Sequence, residues 1–134
     1  GLLERLPNRH VRVVGVTAAR LRQSFAVLAA MECELFALAD TALREKGLPD
    51  PACDAEFHLA AAEVLDNPTL YQRFFTQRQG LLDAAQALGA AEPAVLIERN
   101  RAIAEAFTVG KDTAPHIRRY YDDLTEQTAK ELVV

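Results

Sequence analysis

Two residues one helical turn apart, Asp54 and His58, have the side-chain types and the spacing that could do chemistry in this sequence. A carboxylate and an imidazole four residues apart lie on the same side of a helix. Helical steps from this pair reach Ala61, Ala62 and Leu65, so their side of the helix is apolar and faces inward. The two polar groups therefore either satisfy each other or hold a metal ion or a polar ligand inside a helical bundle.

Two later helices offer partners for this pair. Asn100 lies among apolar residues on the inner face of a helix expected over 93–109, and Asp122 flanks the inner stripe of a helix expected over 113–132. In the alternative interpretation, the first pair is self-satisfied and Asn100 bonds a neighbouring helix. The site hypothesis predicts that four side chains converge in the bundle centre as a metal or effector site: Asp54, His58, Asn100 and Asp122.

The helices that must position these residues are readable from periodicity and from proline. From Leu21 onward, apolar residues recur at intervals of three and four, which predicts one long helix from an N-cap at Thr17 to about Lys46. Gly47 then ends this helix. Proline at or near the first helical position predicts the later helices, which we place at 51–65, 68–88, 93–109 and 113–132.

The start of the chain has a different pattern. The alternation in Val11–Val13, together with the apolar run Leu2–Leu6, predicts a short β-hairpin. The predicted fold is therefore all-α, an antiparallel helical bundle preceded by this hairpin. The predicted domains are a hairpin unit over 1–16 and a helical domain over 17–134.

Composition and charge restrict the class of protein. The 134 residues are half apolar and one quarter charged, which fits one globular domain with no membrane-spanning run. Cys33 and Cys53 have no metal-type spacing, which favours reduced thiols in a cytoplasmic protein. The first residue is Gly1 rather than methionine, which indicates a piece of a longer protein.

The formal net charge of −4 is unevenly distributed. Residues 1–24 carry five arginines against a single acid, Glu4, for a net charge of +4, so the remaining 110 residues sum to −8. Only the basic leading end is therefore suited to meet nucleic acid.

Several motifs in order along the chain resemble the GntR family of transcription regulators, specifically the FadR C-terminal (FCD) class. The first thirteen residues resemble the wing of a winged helix-turn-helix, and 17–39 resembles the first helix of the effector domain. Three further segments resemble the D-x-x-F-H, N-P-x-L and closing motifs of the class: Asp54-Ala-Glu-Phe-His58, Asp66-Asn67-Pro68-Thr-Leu70, and Arg101-Ala-Ile103-Ala-Glu-Ala106 followed by Gly110-Lys-Asp112.

This resemblance implies an effector-binding and dimerisation domain, preceded in the full protein by DNA-reading helices. Many members of the class hold a divalent metal with an aspartate, a histidine one turn on and two later histidines, and the metal often receives the carboxylate of a small organic acid. Asp54 and His58 match the first two positions, while Asn100 and Asp122 replace the later histidines. This oxygen-rich set favours manganese or magnesium over zinc or nickel, or no metal at all.

The resemblance also implies partners, and it implies a binding function rather than an enzyme. Arg5, Arg9 and Arg12 on the wing would contact the phosphates of operator DNA, and the protein would be a homodimer that senses a small carboxylate-type metabolite. Two other functions stay open: a metal-dependent enzyme built in the bundle, and a ligand-free dimerisation module.

Overall fold

The computed structural model describes the backbone of residues 3–5 and 11–13 and the whole of residues 17–132. The part from 17 to 132 is a bundle of helices, so the all-α fold class is confirmed. In chain order, the helices are α1 (Ala18–Leu38), α2 (Asp40–Lys46), α3 (Asp54–Val64), α4 (Pro68–Ala87), α5 (Pro93–Thr108) and α6 (Ala114–Glu131).

The predicted helix starts are visible as caps. Thr17 is the N-cap of α1, and its hydroxyl accepts a hydrogen bond from the backbone N–H of Arg20 at 3.2 Å. Asn67 caps α4 in the same way, accepting from the N–H of Leu70 at 3.2 Å, and Pro68 follows at the first helical position. Both caps satisfy backbone donors that a helix start leaves unpaired.

The prediction of one long first helix is wrong, because the helix breaks at Ala39, which separates α1 from α2. Beyond the break, a tertiary contact holds α2 in place. Arg44 donates from Nη1 to the carbonyl of Phe107 at 2.9 Å and lies over its ring at 4.3 Å. This contact ties α2 to the end of α5, and periodicity within one segment does not encode it.

The start of α3 also differs from the prediction, which placed it at residue 51. Asp50 instead forms a turn: its side chain accepts from the N–H of Ala52 at 2.9 Å, and its carbonyl accepts from the N–H of Cys53. An aspartate before proline favours this local turn over a helix cap. The helix therefore begins at Asp54, which puts a carboxylate in its first turn.

Two short strands precede the bundle. Leu3–Arg5 (β1) pairs antiparallel with Val11–Val13 (β2), and Glu4 is opposite Arg12. The connection over 6–10 and residues 14–16 lie outside the described residues, so the predicted hairpin, its boundary at residue 16 and its identity as a wing stay predictions.

The core lies where α1 meets α6, the most extensive helix pair, with α3, α4 and α5 packed around them. Among the described residues, no helix is both long and apolar enough to cross a membrane. The largest fully buried apolar side chains include Leu21, Phe25, Leu28, Leu43, Phe57, Phe74, Ile103, Ile117 and Leu124.

Candidate functional site

A set of polar side chains from five helices meets inside this apolar core; we call it the core cluster. Apart from Asp54, whose side chain is 27% exposed, its members are buried. The core cluster comprises Glu32 of α1, Asp54 and His58 of α3, Arg78 of α4, Asn100 of α5, and Tyr120 and Tyr121 of α6.

His58 is fully buried and is held on both ring nitrogens. Its Nδ1 lies 2.8 and 2.7 Å from the two carboxylate oxygens of Glu32, which is also fully buried. Its Nε2 lies 2.6 Å from the amide oxygen of Asn100. Tyr121 completes this half of the cluster by donating its hydroxyl proton to Glu32 at 2.6 Å.

The hydrogen-bond pattern limits where the protons are. The amide nitrogen of Asn100 donates to the carbonyl of Pro51 at 3.1 Å and to Asp54 at 2.7 Å, which uses both of its hydrogens. The amide oxygen therefore faces His58 and requires an N–H on Nε2. Since Nδ1 faces a carboxylate, either His58 is an imidazolium or Glu32 carries the proton. The net charge of the His58–Glu32 pair is zero in both cases.

The second half of the cluster is an ion pair between Asp54 and Arg78. Nη2 of Arg78 donates to Oδ2 of Asp54 at 2.8 Å and to the hydroxyl of Tyr120 at 3.1 Å. The Tyr120 hydroxyl lies 3.0 and 2.9 Å from the two oxygens of Asp54, to which it donates. The two acids and two basic side chains of the core cluster thus balance each other.

Arg78 has one donor without a partner. Its Nε is buried and makes no hydrogen bond. Among the described residues, every other buried side-chain nitrogen or oxygen has a hydrogen-bond partner. Leaving a buried donor of a charged group unsatisfied is costly, so such a donor calls for a specific explanation.

The electrostatics of the cluster favour an ionised Asp54. Burial alone raises the pKa of this carboxyl, but the neighbouring His58 and Arg78 side chains, with hydrogen bonds from Asn100 and Tyr120, offset that effect and leave the pKa below its usual value. Burial raises the pKa of Tyr120, so its hydroxyl is a neutral donor. Asp54 is therefore an acceptor held by charged and neutral donors together.

The structure brings together three of the four predicted site residues: Asp54, His58 and Asn100. The prediction that Asp122 points inward is wrong, because its side chain is exposed. Tyr120 and Tyr121 both occupy buried positions on α6. Asp122 lies two residues after Tyr120, so it points to nearly the opposite side of the helix. The roles of the four residues as metal or effector ligands stay predictions.

Sequence reasoning missed four members of the core cluster, and helical spacing held a signal for two of them. Glu32 follows Leu28 by four residues, and Arg78 follows Phe74 by four, so each charged residue lies on an apolar face. Helical spacing put Tyr121 on the inner face of the last helix, but it predicted that only one of the two tyrosine rings would be packed, whereas both are buried.

The observed arrangement does not fit a metal ion. Two ligands of one metal ion lie roughly 3.0–3.4 Å apart at ordinary bond lengths, whereas His58 Nε2 and Asn100 Oδ1 are separated by a hydrogen-bond distance of 2.6 Å. Asp54 is already bonded to a guanidinium cation. Among the described residues, no group of three or more His, Cys, Asp or Glu side chains is arranged to hold a metal.

A surface cleft of about 450 Å³ lies beside the core cluster, and no member of the cluster lines it. It runs between α2 and α5, and Pro51, whose carbonyl accepts from Asn100, forms part of its wall. The other lining residues are Leu43, Arg44, Gly47, Leu48, Pro49, Ala104, Phe107 and Thr108.

The fold and the cluster together define a helical bundle with a charge-balanced polar core. Comparison of the chain with protein-family models gives no match, and neither curated proteins nor solved structures give a significant match.

Proposed function

We propose that this chain is the effector-binding and dimerisation domain of a DNA-binding transcription regulator similar to the GntR family, and that it senses a small organic acid. The observation that carries the proposal is the contact between His58 and Asn100, with Nε2 and Oδ1 2.6 Å apart. It joins α3 to α5 through residues that the resemblance selects as ligand positions. Buried polar groups on facing helices are the usual material of ligand sites in helical bundles.

Binding is favoured over catalysis by the state of the candidate catalytic groups. His58 is fully buried, and both of its ring nitrogens are engaged by Glu32 and Asn100, so neither is free to take a proton from a substrate. Cys33 contacts the carbonyl of Ala114 at 3.7 Å, and burial raises the pKa of its thiol, which opposes thiolate formation.

The proposal includes a dimer in which the effector shifts the spacing of two DNA-reading units. An effector can do this only if it binds one dimer arrangement more tightly than the other. Val27 and Leu38 support self-association: they are 54% and 61% exposed, and their separation of eleven residues on α1 puts them on one side of the helix. Sedimentation of the protein against a Val27→Glu/Leu38→Glu variant tests this part, and unchanged mass in the variant would contradict it.

DNA contact is assigned to Arg5, Arg9 and Arg12, whose side chains are outside the described part of the chain. Phosphate contacts from these arginines would make DNA affinity fall steeply with salt. An Arg5→Ala/Arg9→Ala/Arg12→Ala variant should reduce that salt slope by about three charges, measured by fluorescence anisotropy with a labelled duplex. An identical slope in the variant would remove the wing from the proposal.

The effector is tested by thermal unfolding with a panel of small carboxylic acids, with and without manganese. A compound that binds only the folded state raises the melting temperature. If no compound does so under either condition, the ligand-free dimerisation module is the better reading.

A metal-dependent effector site is the second version of the proposal. It requires His58 to leave Asn100 and Asp54 to leave Arg78. Metal analysis of protein purified without chelator, beside a His58→Ala variant, separates the versions, since a real site would lose its metal in the variant.

A further inference from the structure

Arg78 has a hydrogen-bonding edge that its internal partner fills only in part. The N–H groups of Nε and Nη2 lie on the same edge of a guanidinium, and a carboxylate that meets this edge squarely accepts from both. Here Nη2 donates to Asp54 at 2.8 Å and to the hydroxyl of Tyr120 at 3.1 Å, while Nε is buried without a partner. Asp54 therefore leaves the Nε donor of this edge unfilled.

Asp54, the charged partner of Arg78, is also the member of the core cluster that is exposed to water. The side chain of Asp54 is 27% exposed, whereas that of Arg78 is 3% exposed. A solute therefore approaches the guanidinium from the side on which Asp54 lies. If Asp54 turned outward, solvent would be available to hydrate its carboxylate.

We propose that the core cluster binds a small monocarboxylate by exchange, in which the ligand's carboxylate replaces Asp54 on Arg78 and accepts hydrogen bonds from Nε and Nη2 together. No metal ion is needed, because the guanidinium supplies the positive charge. The inference rests on the proposed ligand-sensing function and names the residue that makes the contact and the residue that the ligand displaces.

The exchange is neutral in charge and has a structural consequence. One carboxylate enters as another leaves, so the balance of the buried charges is kept. Asp54 also accepts from Asn100 of α5 and from Tyr120 of α6 at 2.7 and 3.0 Å. Its departure would release the start of α3 from both helices, which gives the ligand a way to change how the helices pack.

Acetate is a suitable probe, titrated in buffer containing EDTA with sodium chloride matched for ionic strength. The dissociation constant is measured by calorimetry for the wild-type protein and for three variants. Asp54→Ala removes the internal competitor. Arg78→Lys keeps the positive charge but lacks the two-donor edge. Arg73→Lys, at an exposed position on the same helix, is the matched control.

We expect Asp54→Ala to bind acetate about tenfold or more tightly than the wild-type protein, since about 1.4 kcal/mol of competition corresponds to that factor. Arg78→Lys should bind about tenfold more weakly, and Arg73→Lys should match the wild type. In wild-type protein labelled with ¹⁵N-arginine, acetate should shift the Nε–H resonance of Arg78, a readout that does not depend on any variant folding.

Three results would overturn the inference. The first is equal acetate affinity in Asp54→Ala and the wild type, which would show that Asp54 does not compete. The second is an unmoved Arg78 Nε–H resonance at saturating acetate, as expected if a buried water alone satisfies this donor. The third is binding that appears only with added manganese, which would leave the sensing function intact but assign it to a metal. Conversely, acetate exchange at Arg78 without any effect on the dimer would support the inference and contradict the proposed function.

Discussion

Removing the carboxylate of Asp54 should destabilise the protein far more than an ordinary change at a partly exposed position. In Asp54→Ala, Arg78 keeps its charge while its side chain is only 3% exposed, and it loses its only charged partner among the described residues. Breaking a buried ion pair in this way costs about 3–5 kcal/mol. With an unfolding entropy of roughly 2.1 cal/mol/K per residue, a loss of about 3 kcal/mol lowers the melting temperature by about 10 °C.

Truncating Arg78 instead should lower the free energy of unfolding by less, because Asp54 is more exposed than Arg78. In Arg78→Met, Asp54 keeps donors from Asn100 and Tyr120, and its 27% exposed side chain can bind water. We expect a cost of about 1–3 kcal/mol from the lost charged hydrogen bonds. The free energy of unfolding of the Asp54→Ala/Arg78→Met double variant should be close to that of Arg78→Met, because neither protein contains an unpaired buried cation.

Urea unfolding followed by circular dichroism at neutral pH gives the free energies of all four proteins in this cycle. The expected coupling energy is about 2 kcal/mol or more, within the range found for residues in contact. Additive effects of the two substitutions would refute the reasoning, as would an Asp54→Ala cost below that of Arg78→Met. Either result would mean that the guanidinium is hydrated in solution and that the core cluster is not closed.

Three further predictions concern pH, the tyrosine bond and a helix cap. The folded-state pKa of Asp54 is lowered, so its stabilising contribution is present above the unfolded value of about 3.9. This contribution is lost as pH falls through the lowered folded-state value. The free energy of unfolding of Asp54→Asn should therefore fall less steeply than that of the wild type below about pH 4. Tyr121→Phe removes the 2.6 Å bond to Glu32 and should cost about 1.5–3 kcal/mol in urea unfolding, and a change below 0.5 kcal/mol or so would mean that this carboxylate finds another donor. Asn67→Ala removes the α4 cap and should cost about 1 kcal/mol, whereas Asn67→Asp should cost little; equal losses in the two variants would argue against capping.

The helices that the sequence predicted well are those whose signals are local. Proline at the first helical position located α4 and α5, and the ends of α4, α5 and α6 fall within a residue or so of the prediction. The break at Ala39 carries no such local signal, and α2, which follows it, contacts the end of a helix more than sixty residues away through Arg44. Local patterns carry no information about such a contact.

The site was predicted in part for a related reason. Helical spacing alone put His58 and Asn100 on inner faces, and they meet. The same spacing puts Glu32 and Arg78 on inner faces, but long charged side chains are seldom fully buried, so an apolar position is weak evidence that the charge itself lies inside. Charged residues on apolar faces of several helices become informative only when they are considered as possible partners for one another.

The charge balance of the core cluster determines which kinds of ligand it can accept. A divalent cation would add two positive charges beside Arg78 and His58, and two unit charges 4 Å apart repel by about 4 kcal/mol at an effective dielectric constant of 20. An anion added without exchange would leave an uncompensated negative charge in a core that holds no spare donor other than Nε of Arg78 among the described residues. Replacement of Asp54 by another carboxylate avoids both costs and satisfies that donor. The electrostatics of the core therefore favour a monoanion that enters as Asp54 leaves.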